Sequence, residues 1–340
     1  MKLKNGISLL CILGLAGVSF GSGAELKKIW SIGSNKANYL FFSISSARFD
    51  SKNDIYVADT QGSFIRKYDK DGVFVKEIGR HGQGPGDFGD SISLFWDKKL
   101  FALDGRNSRI AVIDENLNIF SYVRIGIVAR KIIRINNLFY CNAGILGSDN
   151  NQIVVLDEAG SIINRFHDEL PDYLVKVPRS KLETAMKIMH GGIEFDCQSK
   201  SKEIVATYRD PGKNIEIFVY TDKGSLVRKL SINHLIDYEY PKFMLEWPIK
   251  YPPKSSLVMI KSIYFINPRS VIVHYMYSLL KESKGYETRS FLIKIDTLNG
   301  KVMDTIEIDP NLEILDAKRS LICTKYFGDE TQELRLYELK

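Results

Sequence analysis

The chain has 340 residues, 44% of them hydrophobic and 25 of them glycine, which is enough apolar material to bury a large core within one domain. Its formal charge is +6, and loss of Lys2 and Lys4 with the N-terminal leader described next leaves about +4, spread along the sequence. That balance gives no support to nucleic-acid binding, which needs a concentrated basic surface.

Residues 1–24 read as a signal peptide. Lys2 and Lys4 precede the apolar run 7–20, and the small residues Ser22, Gly23 and Ala24 follow it. The apolar run is too short and glycine-rich for a spanning helix, so the expectation is an exported chain, periplasmic or extracellular, with no integral membrane segment after cleavage. Cys11 lies inside the run and lacks the small preceding residue expected of a lipid-anchored cysteine. The mature chain keeps Cys141, Cys197 and Cys323 in apolar strand runs, and these read as buried free thiols. A Cys141–Cys197 bridge between adjacent sheets is the alternative in an oxidising compartment.

From residue 40 onward the pattern is strand, turn, strand. The clearest copy runs 53–60, 62–72 and 73–80, with apolar and polar residues alternating at the period of half-buried strands. It returns over 99–125, 138–166, 203–230 and 270–306, and a sixth copy, 321–340, stops one strand short. Turns are expected at Asp69, Asp114, Asp157, Asp222 and Asp296, where a short polar side chain bonds its own backbone and a following glycine accepts positive φ. Repetition at this period predicts an all-β, six-bladed β-propeller of four-stranded antiparallel blades. Segment 26–33 is predicted to supply the missing outer strand of the last blade, closing the ring over residues 25–340.

Residues Ile78 to Phe88 (Ile-Gly-Arg-His-Gly-Gln-Gly-Pro-Gly-Asp-Phe) and the stretch 102–114, with its Asp-Gly-Arg-Asn-Ser-Arg-Ile core, resemble the interblade connector and loop-plus-strand of NHL-type six-bladed propellers. The likeness covers about residues 40–125 and fades to strand periodicity beyond. The family includes binding modules, scaffolds and a few metal-dependent enzymes, so the resemblance implies a fold rather than a chemistry.

With each blade's strands lettered A to D outward from the axis, B-to-C loops and D-to-A connectors share one face. The long segments, about 167–191, 232–258 and 278–288, all belong to that face, which is therefore the expected binding face for a protein, peptide or glycan. In the first, Ser180 and Glu183 form a capping box before Leu182, Ala185, Met186 and Met189 at helical spacing. The second, with Tyr238, Tyr240, Phe243, Trp247 and Tyr251 among four prolines, reads as a stiff aromatic flap suited to ligand contact.

Candidate ligand-binding groups at the channel mouth are Asp59, His81, Gln83, Asp104, Arg106, Asn142, Asp210 and Asp329, joined by Tyr240 and Trp247 from the flap. Asp59 and Asp104 double as turn caps, since aspartate at a strand end bonds nearby backbone, and Arg109 reads as a blade-to-blade packing residue. No cofactor is expected. The alternative function is a metal-dependent hydrolase or lyase at the mouth of the central channel, with zinc drawing on His81, His167, His190 and His234, or calcium on Asp90, Glu194 and Glu313. None of these has short metal-motif spacing, and neither a nucleophile elbow nor a phosphate loop is present. A pure scaffold is the third reading.

Overall fold

In a computed structural model, residues 24–33, 40–143, 153–167, 192–209, 211, 214–236, 257–281, 285–328 and 331–340 are described. Leader residues 1–23, the helix expected near 180–189, the aromatic stretch of the flap with Tyr240 and Trp247, Asp210 and Asp329 lie outside them.

The chain starts with β1 (Leu26–Ile32) and then lays down five complete blades. Blade one is β2 (Ile44–Phe49), β3 (Ile55–Asp59), β4 (Phe64–Tyr68) and β5 (Phe74–Ile78); blade two is β6 (Ile92–Asp97), β7 (Lys99–Asp104), β8 (Arg109–Ile113) and β9 (Ile119–Arg124). Blade three is β10 (Ala129–Ile135), β11 (Leu138–Ala143), β12 (Ile153–Leu156) and β13 (Ile162–Phe166); blade four is β14 (Ile193–Gln198), β15 (Glu203–Tyr208), β16 (Ile215–Thr221) and β17 (Leu226–Ile232). Blade five is β18 (Leu257–Asn267), β19 (Ser270–Lys281), β20 (Gly285–Asp296) and β21 (Val302–Ile308); blade six takes β22 (Leu312–Lys318), β23 (Leu321–Phe327) and β24 (Gln332–Leu339) from the C-terminus. Its fourth strand is β1, paired antiparallel from Leu26↔Leu339 to Ile32↔Leu334. The expected closure is therefore observed, and it protects an otherwise open edge of β24.

The short turns follow the sequence with one displacement. Asp69, Asp114 and Asp157 each accept the N–H groups two and four residues on, at 2.7–3.0 Å. In blade four that capping falls to Thr221, whose hydroxyl accepts from Lys223 and Ser225. The expected cap, Asp222, instead receives the Asn136 side-chain amide of blade three at 2.6 Å.

Blades pack face to face through continuous apolar layers, such as Tyr56, Leu94, Leu100 and Ile113 between blades one and two. The outer strands share a feature that alternation hides. Each carries a one-residue β-bulge against strand C, and the bulged residues are Ile29, Val75, Phe120, Ile163, Val227 and Met303. All six are between 46% and 61% exposed. A bulge sharpens the twist and breaks the flat row of backbone donors and acceptors that an outer strand would offer to another sheet.

Candidate functional site

The axis of the ring is charged. Side chains from five of the six inner strands meet there: Arg48 of β2 interacts with Asp316 of β22, Tyr264 of β18 and Asp196 of β14, and Lys131 of β10 lies over the Tyr264 ring and beside Glu194 of β14. Backbone irregularity helps to aim them, because inner strands bulge at Ile44/Ser46, Ala129/Ile132, Ile260/Ser262 and Ile314/Asp316. The last bulge sets the Leu315 carbonyl apart from the regular ladder. Arg48 Nη1 donates to it at 2.6 Å and Tyr264 Oη at 2.7 Å, tying blades one and five to blade six.

Electrostatics accounts for the rest of the cluster. Arg48 is buried, which disfavours its charge, but Asp316, Tyr264 and Asp196 outweigh the burial and raise its pKa. Its Nη1 lies 3.8 Å from Asp316. Burial pushes the Asp316 carboxyl up to about 6 against the pull of Arg48, and raises Asp196 against Lys131 and Arg48. Both aspartates accept a backbone N–H from the next blade's inner strand at 2.9 Å, Asp316 from Phe49 and Asp196 from Phe265. The same carboxylates thus balance buried cations and stitch neighbouring blades together, which is how buried charge becomes tolerable.

Nearer the mouth the charges are paired across strands. Lys131 meets Glu194 at 3.1 Å, and Arg209 reaches the same carboxylate at 3.5 Å. Lys325 lies 3.3 Å from Glu313, and Arg106 lies 2.8 Å from Asp90 in an exposed pair. Each carboxylate of the calcium alternative therefore has a cation beside it. Among the described residues, no three His, Cys, Asp or Glu side chains form a group able to hold a metal ion.

The histidines of the zinc alternative are dispersed. His81 is exposed on the blade one–two connector, with Nδ1 3.3 Å from Ser63 Oγ. His167 is buried between Tyr208 and Phe218 with Nδ1 2.6 Å from Tyr220 Oη, and burial lowers its pKa to about 3. His234 packs against Tyr275, and His190 lies outside the described residues. Cys141, Cys197 and Cys323 are free thiols; burial pushes Cys141 up to about 12 and the other two well above their ordinary value, which suppresses thiolate chemistry.

Three of the sequence candidates share one structural job. Asp59, at the end of β3, accepts the N–H groups of Phe42 at 2.6 Å, Ser43 at 3.1 Å and Gly62 at 2.8 Å. Asp104, at the end of β7, accepts from Gly89, Asn107 and Arg109. Asn142, near the end of β11, accepts from Arg130 and Lys131 at 3.0 and 2.7 Å. In each case the end of strand B clamps the backbone where the chain enters strand A. Asp59 and Asp104 are fully buried by that role.

The glycine-rich connector is a second structural device. Arg109 donates to Asp104 and to the carbonyls of Gln83, Gly84 and Asp87, and it stacks 4.4 Å from the Tyr122 ring centre. Asp87 binds Arg80 and the Gly84 N–H. Gly79 has φ +106, and a Cβ there would sit 2.6 Å from the Ser63 carbonyl oxygen. The side chains of Gln83, His81 and Arg106 remain exposed on this connector and its neighbouring loop. Sequence reasoning named these mouth residues but not Arg48, Lys131, Asp196, Tyr264 or Asp316. Their available signal was a charge in the middle of an apolar inner strand, as in Ala47-Arg48-Phe49 and Leu315-Asp316-Ala317.

No protein-family model matches the chain, so the NHL-type likeness rests on the quoted motifs, and no curated protein matches it. Among solved structures it is similar to a candidate exported protein from Bacteroides fragilis, at 13% identity and TM-score 0.61, covering 93% of this chain and 95% of that one. It is also similar to a member of the DUF4221 family from Bacteroides vulgatus, at 12% identity and TM-score 0.58 over 93% and 98% of the two chains. A luciferin-regenerating enzyme aligns at 10% identity and TM-score 0.51 over 94% and 97%. These likenesses establish the fold, a six-bladed β-propeller, and leave the chemistry to the residues.

Proposed function

We propose that the protein is an exported recognition module that binds a peptide, protein or glycan through the face carrying its B-to-C and D-to-A connections. One observation carries this reading: loop length is segregated by face. On the opposite face no connection between consecutive strands exceeds five residues, as at 114–118, whereas D-to-A connections span 167–192 and 233–256 on this one; the long loop expected at 278–288 is instead the end of the β19–β20 hairpin, with only 282–284 between the strands. Loops on a rigid scaffold are where ligand contacts are built. The mouth on this face mixes signs, with Asp90 and Arg106, Lys131 and Glu194, and Glu313 and Lys325 each paired. Such a surface suits neutral, hydrogen-bonding ligands such as peptide backbones or sugar hydroxyls better than a polyanion. Export is supported by the charged, apolar and small-residue order of the leader, and among the described residues no helix is long and apolar enough to cross a membrane.

The test removes the flap. The mature chain and a variant lacking residues 236–253 are applied to glycan and peptide arrays, with thermal unfolding measured on both. Saturable binding to one ligand class by the wild type, lost in a variant of nearly unchanged melting temperature, is the expected result. Undiminished binding by the variant, or no array binding by the wild type, contradicts the proposal.

A further inference from the structure

A cavity of about 320 Å³ opens between blades five and six on the tight-turn face, away from the elaborated one. Its size falls at the lower end of small-molecule pockets, roughly 300–1,000 Å³. The apolar lining is Ile266, Ile272, Leu292 and Ile306 from blade five and Leu339 from blade six. Beside it the chain ends meet, Glu25 and Lys340 exchanging both backbone hydrogen bonds; Ala24, the last leader residue, also touches the cavity and leaves with the leader on cleavage.

The polar lining is unbalanced in charge. Among the lining side chains, Lys294, Arg319 and Lys340 are cationic and Asp304 alone is acidic. Lys294 sits opposite Asp304 in the β20–β21 register, yet among the described residues neither Lys294 nor Arg319 takes part in an ion pair. An apolar slot flanked by cations outside the ion pairs of the described residues is complementary to an amphiphile with an anionic head, since a guanidinium recognises a carboxylate through two parallel hydrogen bonds.

We propose that this cavity binds a linear, medium-length carboxylate, with its alkyl chain against Ile266, Ile272, Leu292 and Ile306 and its head group on Arg319 and Lys294. The site is independent of the elaborated face. Calorimetric titration of the intact protein with decanoate, and with decanol as the neutral control, tests it. Arg319→Asn is the chosen variant because Arg319 is exposed at φ +58, a backbone conformation asparagine tolerates. The expected result is saturable decanoate binding that weakens about tenfold in Arg319→Asn, the loss of one charge-assisted contact, while decanol binding is unchanged. Absence of saturable decanoate binding, or equal decanoate affinity in both proteins, overturns the proposal. So does sedimentation with phosphatidylglycerol vesicles in the absence of decanoate binding, which points to a lipid surface. Deletion of 236–253 leaves decanoate binding intact on this account, and its loss in that variant would move the site elsewhere.

Discussion

The axis and the outer rim of this ring invert the usual distribution of residues. At the axis, Arg48, Lys131, Asp196 and Asp316 gather on inner strands, with Arg48 buried; at the rim, six apolar residues from Ile29 to Met303 stand in solvent on bulges. The difference is set by backbone, not by hydrophobicity. Inner strands meet neighbours on either side, so a charge there finds counter-charges and main-chain carbonyls, as Arg48 finds Leu315 and Asp316. Outer strands have an open edge, and a bulge that spoils it must turn a side chain outward whatever its polarity.

The contrast breaks most severely at Arg48. Arg48→Met removes the cation and leaves Asp316 and the Leu315 carbonyl short of a partner at the axis, and we expect a loss of about 3–5 kcal/mol in urea-unfolding free energy, the cost of halving a buried ion pair. A loss below about 1 kcal/mol would show that the cluster carries no such weight.

A smaller effect separates buried polar groups by pH. His167 and His274 are held neutral in the folded state, their pKa values lowered by burial to about 3, with Lys229 and Lys261 respectively adding to the shift. Unfolded histidine takes a proton near 6.5, so each contributes stability that is complete above that pH and is lost as pH falls toward 3. At pH 5 the loss is about 2 kcal/mol per histidine. His167 sits at φ +64, which asparagine accepts, so His167→Asn should shrink the stability difference between pH 7.5 and pH 5.0 by about that amount. An unchanged pH dependence would refute the assignment. Asp316 acts in the opposite sense: its carboxyl, raised to about 6, favours folding below that pH and loses the advantage as pH rises from about 4 to 6.

The rim should respond least. Ile163→Ser and Val227→Ser place hydroxyls on half-exposed bulged positions and should each change stability by less than about 0.5 kcal/mol. Losses above 1 kcal/mol would mean that these side chains are covered in the folded protein.

Legibility in the sequence followed the range of the interaction. The turns at Asp69, Asp114 and Asp157 could be read because aspartate caps backbone two and four residues away, and the cap in blade four was misplaced by one residue because Thr221 and Asp222 are both competent. Ring closure was legible from the missing fourth strand of the last copy. The axial cluster was not, since Arg48 and Asp316 meet only after the whole chain has circled, and a bulge beside Leu315 decides where they point. The rim was hidden for the opposite reason: Val73, Phe74 and Val75 form a continuous apolar run, and nothing within it marks Val75 as the extra, half-exposed residue of a bulge.

Hydrogen exchange of the terminal strands examines ring closure most directly. The account predicts that the amides of Leu26–Ile32 that face β24 are protected to the same degree as those of Gln332–Leu339 and lose protection with them in one cooperative opening. Rapid exchange throughout Leu26–Ile32 beside a protected Gln332–Leu339 would contradict it.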